Sequence, residues 1–159
     1  MSSVSITEKR RVAIAYDGSE DAKKLFDWSV KNVVRPNTDH IILLSAVQRS
    51  KLPMLSTTAS RVNEAIKATE QHPQGKTARE RLEAMSHQLQ QANISSEVHI
   101  LWGDAKTLLP RYTKAHNVDL LVVGSRGLGA VKSVFLGSVS DACLKECPCP
   151  VLVVRNTTI

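Results

Sequence analysis

Leu120-Leu121-Val122-Val123-Gly124-Ser125-Arg126-Gly127, followed after nine intervening residues by Gly137-Ser138, is the stretch that decides the fold. It reads as a short apolar strand, a loop of small residues, and a helix that begins near Ser138. Glycines in such a loop permit positive φ angles and close approach of a ligand. The first turn of a helix adds unpaired N–H groups and partial positive charge. A strand tip built this way suits phosphate, and a nucleotide is the expected ligand. The bland alternative is that these glycines serve only turns and tight helix–sheet packing.

Working outward, apolar runs alternate with helical periodicity along the chain. Strands are predicted at Val12–Tyr16, His40–Val47, Ser96–Leu101, Asp119–Val123 and Val151–Val154. They are short and rich in Val, Ile and Leu, the composition of strands buried on both faces of a parallel sheet. Between them, Ala22, Leu25, Phe26, Val30 and Val33 mark one helical face, with Ser19 as its N-cap. Ala78, Leu82, Met85 and Leu89 mark a second. Ala105, Leu108, Leu109 and Tyr112 mark a third, capped by Asp104, in which Pro110 should kink or shorten the helix. The fourth runs from about Gly137 to Glu146. Ser138 opens an S-x-x-D pattern with Asp141, so its hydroxyl is expected to cap that helix and to turn to phosphate when ligand binds.

Five strands alternating with four helices give an α/β, doubly wound, Rossmann-like parallel sheet with helices on both faces. Right-handed crossovers favour the strand order 3-2-1-4-5. That order sets the tips of strands 1 and 4 side by side at the switch point, where open α/β sheets bind ligands. The loops Asp17-Gly18-Ser19 and Gly124 to Gly129 follow those two strands. Residues 1–10 are read as a flexible N-terminal tail and 11–155 as a single domain. The segment Gln48 to Lys76 is the least legible: Val62, Ala65, Ile66 and Thr69 suit a short amphipathic helix, and Met54 to Ser60 suit either a flap over the ligand or a surface insertion.

Composition bounds the function. The 159 residues are 42% apolar and 23% charged, ordinary for a globular protein. No run approaches the ~18 apolar residues of a membrane span, and the polar start, ending in Lys9-Arg10-Arg11, lacks the apolar core of a secretory signal. A cytoplasmic location is the expectation. The net charge of +6 is dispersed; with 4% aromatic residues and no recognition motif, no specific nucleic-acid partner is expected. Cys143, Cys147 and Cys149 read as a packed helix-face thiol and two thiols flanking Pro148 in a turn, since an odd count without a fourth ligand suits neither a disulfide framework nor a metal site. No G-x-x-x-x-G-K-[ST], kinase H-R-D or D-F-G, serine elbow or H-E-x-x-H is present.

The G-x-x-G-x9-G-S pattern after the fourth strand resembles the ATP-binding branch of the universal stress protein family. The likeness spans almost the whole chain: the opening strand ends in Tyr16-Asp17-Gly18-Ser19, the second reads Ile-Leu-Leu-Ser-Ala-Val, and the chain closes with Pro150-Val-Leu-Val-Val154. The resemblance implies that Gly124, Gly127, Gly137 and Ser138 surround ribose and phosphates, with the Val139 backbone and the Ser140 side chain adding contacts. Asp17 matches an acidic position that meets the nucleoside or a metal, or else is a turn residue. Ala15, Tyr16 and Ala46 would line the base pocket. Arg126 lies between motif glycines and is either a phosphate partner or a solvated loop residue; Lys132 is a weaker candidate. The resemblance further implies ATP, with ADP or AMP as substitutes and Mg accompanying the nucleotide, and a homodimer through Val151–Val154, a strand placed at the sheet edge with no Lys or Pro to discourage pairing. The rival for covering that edge is the tail Arg155 to Ile159. Two other functions stay open: a slow Mg-dependent hydrolase using Asp17, and a nucleotide-free interaction module.

Overall fold

Residues on alternate sides of the central strands supply two separate cores. From β1 (Arg10–Ala15) and β2 (Asp39–Val47), Val12, Ile14, Ile41 and Leu43 face one way, and Ala13, Ile42 and Leu44 the other. All seven are buried, which accounts for the near-continuous apolar runs in the sequence. The computed structural model describes residues 8–47, 73–125 and 137–155.

The first core receives α1 (Glu20–Asn32) and α2 (Pro73–Gln91) through Leu25, Phe26, Leu82, Met85 and Leu89. The second receives α3 (Ala105–Ala115) and α4 (Ser138–Glu146) through Leu109, Tyr112 and Cys143. With β3 (Ser95–Trp102), β4 (Leu120–Gly124) and β5 (Val151–Val154), the strands form a sheet in the order β3-β2-β1-β4-β5. Every neighbouring pair is parallel, and Val12 to Ile14 stand opposite Leu120 to Val122. Fold class and strand order are those expected from the sequence.

Local signals set the boundaries. Ser19 is the N-cap of α1, its hydroxyl accepting from the Ala22 N–H at 3.1 Å. Asp104 caps α3 through the Lys106 N–H. Asn93 and Asn117 adopt φ of 61° and 50° just after α2 and α3. The left-handed turn lets Ile94 N–H reach Leu89 O at 2.8 Å and Val118 N–H reach Thr113 O at 3.0 Å, closing each helix before the next strand.

Three expectations change. Pro110 does not shorten α3, which continues to Ala115. Proline removes one helical hydrogen bond, but Leu109, Pro110, Tyr112 and Thr113 are buried, and the Thr113 hydroxyl donates to Pro110 O at 2.8 Å. Packing outweighs the lost bond. Ser138 does not cap α4: Gly137 is the N-cap, without a side-chain hydrogen bond, and Ser138 is the first helical residue. Asp141 pairs instead with Lys145 at 3.0 Å. β1 also starts at Arg10, inside the expected tail, because Arg10 is held by Asp39. The helix and flap readings within Gln48 to Lys76 fall on residues 48–72, outside the described residues, apart from Pro73 to Lys76, which open α2.

Candidate functional site at the carboxyl edge of the sheet

Parallel pairing brings those expected site residues that lie among the described ones to one edge. Beyond the Ala15–Leu44 pair, Tyr16 N–H donates to Leu44 O at 2.7 Å, so Ala15 and Tyr16 lie beside the end of β2, where Ala46 is half-buried. On the other flank, β4 ends at Gly124, opposite Val154. Ser125 N–H donates to Val154 O at 2.9 Å, and Ser125 O accepts from Gly137 N–H at 2.6 Å. That last bond seats the first turn of α4 directly on the tip of β4. Gly137, Ser138 and Val139 are thereby joined to Gly124. Arg126, Gly127 and Lys132 lie outside the described residues.

The first turn of α4 keeps helical N–H groups without intrahelical acceptors, and no side chain at Gly137 occupies them. Ser138 is exposed there. Ser140 is not: it is 2% exposed, and its hydroxyl donates to Gly137 O at 2.9 Å, with Ser125 O at 3.5 Å. It ties the loop ends together. A phosphate contact from Ser140 would require that hydroxyl to rotate away from Gly137.

The β1 side is a polar turn. Asp17 is exposed, and its Oδ1 accepts from Ser19 N–H at 2.9 Å and Ser19 Oγ at 2.6 Å. Gly18 takes φ of 89°, a conformation that favours glycine, and a Cβ there would meet nothing within 4 Å. Among the described residues the turn is therefore open above Gly18, and hydrogen bonds fix it below.

Sequence reasoning missed Arg81. From α2, its Nη1 donates to Tyr16 Oη at 3.0 Å and to Gly18 O at 3.2 Å, and the bond to Tyr16 raises its pKa above the ordinary arginine value. A signal existed. In a right-handed crossover the start of α2 lies at the carboxyl edge of the sheet, so a basic residue beside Leu82 stands near the strand tips. Among the described residues, no three His, Cys, Asp or Glu side chains form a group that could hold a metal ion, and no helix is long and apolar enough to cross a membrane.

Fold and edge together define a doubly wound α/β protein whose candidate site lies at the switch point between the ends of β1 and β4. The chain belongs to the universal stress protein family: residues 9–155 match the family described as Universal stress protein family. It is 33% identical over 141 residues to the Universal stress protein A-like protein of Arabidopsis thaliana, covering 87% of this chain and 80% of that protein. In fold it is similar to the universal stress protein UspA from Lactobacillus plantarum, with a TM-score of 0.70 and 22% identity over 93% of this chain and 99% of that one. It is also similar to a universal stress protein family protein from Arabidopsis thaliana with AMP bound, with a TM-score of 0.60 and 24% identity over 92% of this chain and 91% of that one.

Proposed function

We propose that this chain binds an adenine nucleotide (ATP, with ADP or AMP as substitutes, and Mg accompanying the phosphates) and acts as a nucleotide-dependent switch in a cytoplasmic stress response. The observation that carries the reading is the Gly137–Ser125 hydrogen bond of 2.6 Å. It sets a helix N-terminus whose N-cap, Gly137, has no capping side chain on the strand tip beside β1, an arrangement suited to phosphate. Family membership and the AMP bound to the similar Arabidopsis protein support it.

In this reading Gly124, Gly137, Ser138 and Val139 meet ribose and phosphates, together with Gly127 and Arg126 of the motif. Asp17 accepts a hydrogen bond from the nucleoside, and Ala15, Tyr16 and Ala46 border the base. Ser140 adds a contact once its hydroxyl turns. The residues suit binding better than turnover, since no Walker lysine is present to clamp phosphates.

The second part of the proposal is a homodimer through β5. This outermost strand is half-buried at Val151, Leu152 and Val153, and Leu144 on adjacent α4 is 48% exposed. Apolar side chains beside a strand edge that is unpaired among the described residues favour pairing with a second copy. Light scattering should give twice the chain mass for the wild type and a single chain mass for Val151→Lys.

The nucleotide reading is tested by purifying the protein without added nucleotide, denaturing it, and chromatographing the supernatant. Released ATP, ADP or AMP is the expected result. A supernatant without nucleotide, from a protein that also fails to bind added Mg-ATP, would contradict the reading.

A further inference from the structure

Arg81 and the Asp17-Gly18-Ser19 turn come from elements far apart in sequence, yet the turn is pinned from both. Inside the chain, Asp17 Oδ1 holds the Ser19 N–H and hydroxyl at 2.9 and 2.6 Å. From α2, Arg81 Nη1 reaches Gly18 O at 3.2 Å while also bonding Tyr16 Oη at 3.0 Å. Tyr16 is 6% exposed and sits in the core with Leu25, Phe26 and Leu82. Its hydroxyl is thus a rigid post against which the guanidinium is aimed.

The orientation of the Gly18 peptide needs such a restraint. Gly18 has φ of 89°, with nothing within 4 Å of the position a Cβ would take. Glycine pays no steric penalty for leaving that conformation, so neither backbone preference nor, among the described residues, a neighbour on the Cβ side fixes the peptide. Hydrogen bonding does. Arg suits the task because its planar fork can serve two acceptors in fixed geometry, whereas a lysine ammonium is a point charge on a flexible stem.

We infer that Arg81 is a positioning residue for the nucleoside: by holding the Gly18 carbonyl against the Tyr16 hydroxyl, it fixes the turn that presents Asp17 to the ligand. This rests on the nucleotide reading above. Arg81 acts through the turn and not on phosphate, so its effect extends to a ligand that carries no phosphate. It also ties nucleoside affinity to the seating of α2 on the sheet.

The test compares adenosine, AMP and ATP binding by ligand-observed NMR and calorimetry for the wild type, Arg81→Met and Arg81→Lys. Methionine keeps much of the aliphatic length and removes the donors. Removing one such anchor should weaken all three ligands about tenfold, the low end for a hydrogen bond to a charged group, with little change in Tm. Lysine should behave like methionine. In an Asp17→Asn background, Arg81→Met should add no further loss, because the two act in series. Tyr16→Phe, which leaves the Gly18 bond, should give a smaller loss and keeps the test sound if Arg81→Met folds poorly. A loss confined to AMP and ATP, or full rescue by lysine, would overturn the inference in favour of charge. Unchanged affinities in Arg81→Met, beside a wild type that binds, would overturn it while leaving the nucleotide reading intact. A wild type that binds none of the three ligands would overturn both.

Discussion

Asp39 and Arg10 form a two-point ion pair at the start of the sheet, Nε to Oδ1 at 2.8 Å and Nη2 to Oδ2 at 2.7 Å. The Asp39 side chain is fully buried and that of Arg10 is 31% exposed. Oδ2 also accepts from Arg35 N–H at 2.8 Å, and Arg10 Nη2 donates to Val33 O at 3.0 Å. One carboxylate therefore joins the first residue of β1, the end of α1 and the entry to β2. The bond to Asp39 raises the Arg10 pKa further above its ordinary value. Asp39→Ala strands the arginine and the Arg35 N–H, and should cost about 3 kcal/mol. Urea unfolding should show a lower midpoint with an unchanged slope; a loss below about 1 kcal/mol would mean that the pair is dispensable.

His40 gives the domain a pH dependence. Burial pushes its pKa below the ordinary value, Glu97 opposes that shift, and Arg11 and Lys9 add to it. Its Nδ1 meets Ser95 Oγ at 2.9 Å, and its Nε2 lies 3.7 Å from a Glu97 carboxylate oxygen that also faces Arg11 and His99. Because the folded pKa lies below the unfolded one, the unfolded chain takes up the proton first as pH falls. Stability contributed by neutral His40 is present above about pH 6.5, is lost as pH drops toward the folded pKa, and changes no further below it. Urea titrations at pH 7.5 and 5 should show this loss in the wild type and a smaller one in His40→Gln. Equal losses in both would assign the pH dependence elsewhere.

The three thiols should differ in reactivity. Cys143 is 0% exposed, and burial, with Cys147 and other neighbours adding to it, pushes its thiol up to about 12. Burial also raises Cys149. A thiol near pKa 12 is thiolate only to about one part in ten thousand at pH 8, and the thiolate is the nucleophile. Brief iodoacetamide treatment of the native protein, read by peptide mass, should leave Cys143 unmodified until denaturant is added. Alkylation of Cys143 at a rate like that of Cys147 would contradict its placement on the inner face of α4.

Much of this fold is legible in the sequence because its signals are local. The apolar runs of β1, β2 and β4 have the composition of doubly buried strands, Ser19 and Asp104 sit at cap positions, and right-handed crossovers limit the order. Of the two effects expected of Pro110, kinking or shortening, the shortening does not occur, because propensity describes an isolated helix and the Leu109–Thr113 face is buried. The S-x-x-D pattern pointed to Ser138 as cap, one residue late, because Gly137 takes the extended cap geometry (φ −65°, ψ 157°) without a capping side chain. Arg81 was missed for another reason: its partner Tyr16 lies 65 residues away, so only the handedness of the crossover, and nothing in local spacing, points to it. Of the candidate site, the tips of β1 and β4 and the start of α4 meet as the strand order requires, while Arg126 and Gly127 remain assigned by motif alone.

The proposed placement of nucleotide phosphates at the start of α4, seated on Ser125, is the reading most open to measurement. Calorimetric titration of nucleotide-free protein with Mg-ATP, wild type against Gly137→Val, tests it most directly. Gly137 has φ of −65° and ψ of 157°, which any residue adopts, so valine adds bulk at the helix start without backbone strain. Saturable binding by the wild type is expected, with at least about tenfold weaker binding by the variant, a difference of about 1.4 kcal/mol, and Tm little changed. Equal affinity in the two proteins, or no binding by the wild type, would contradict it.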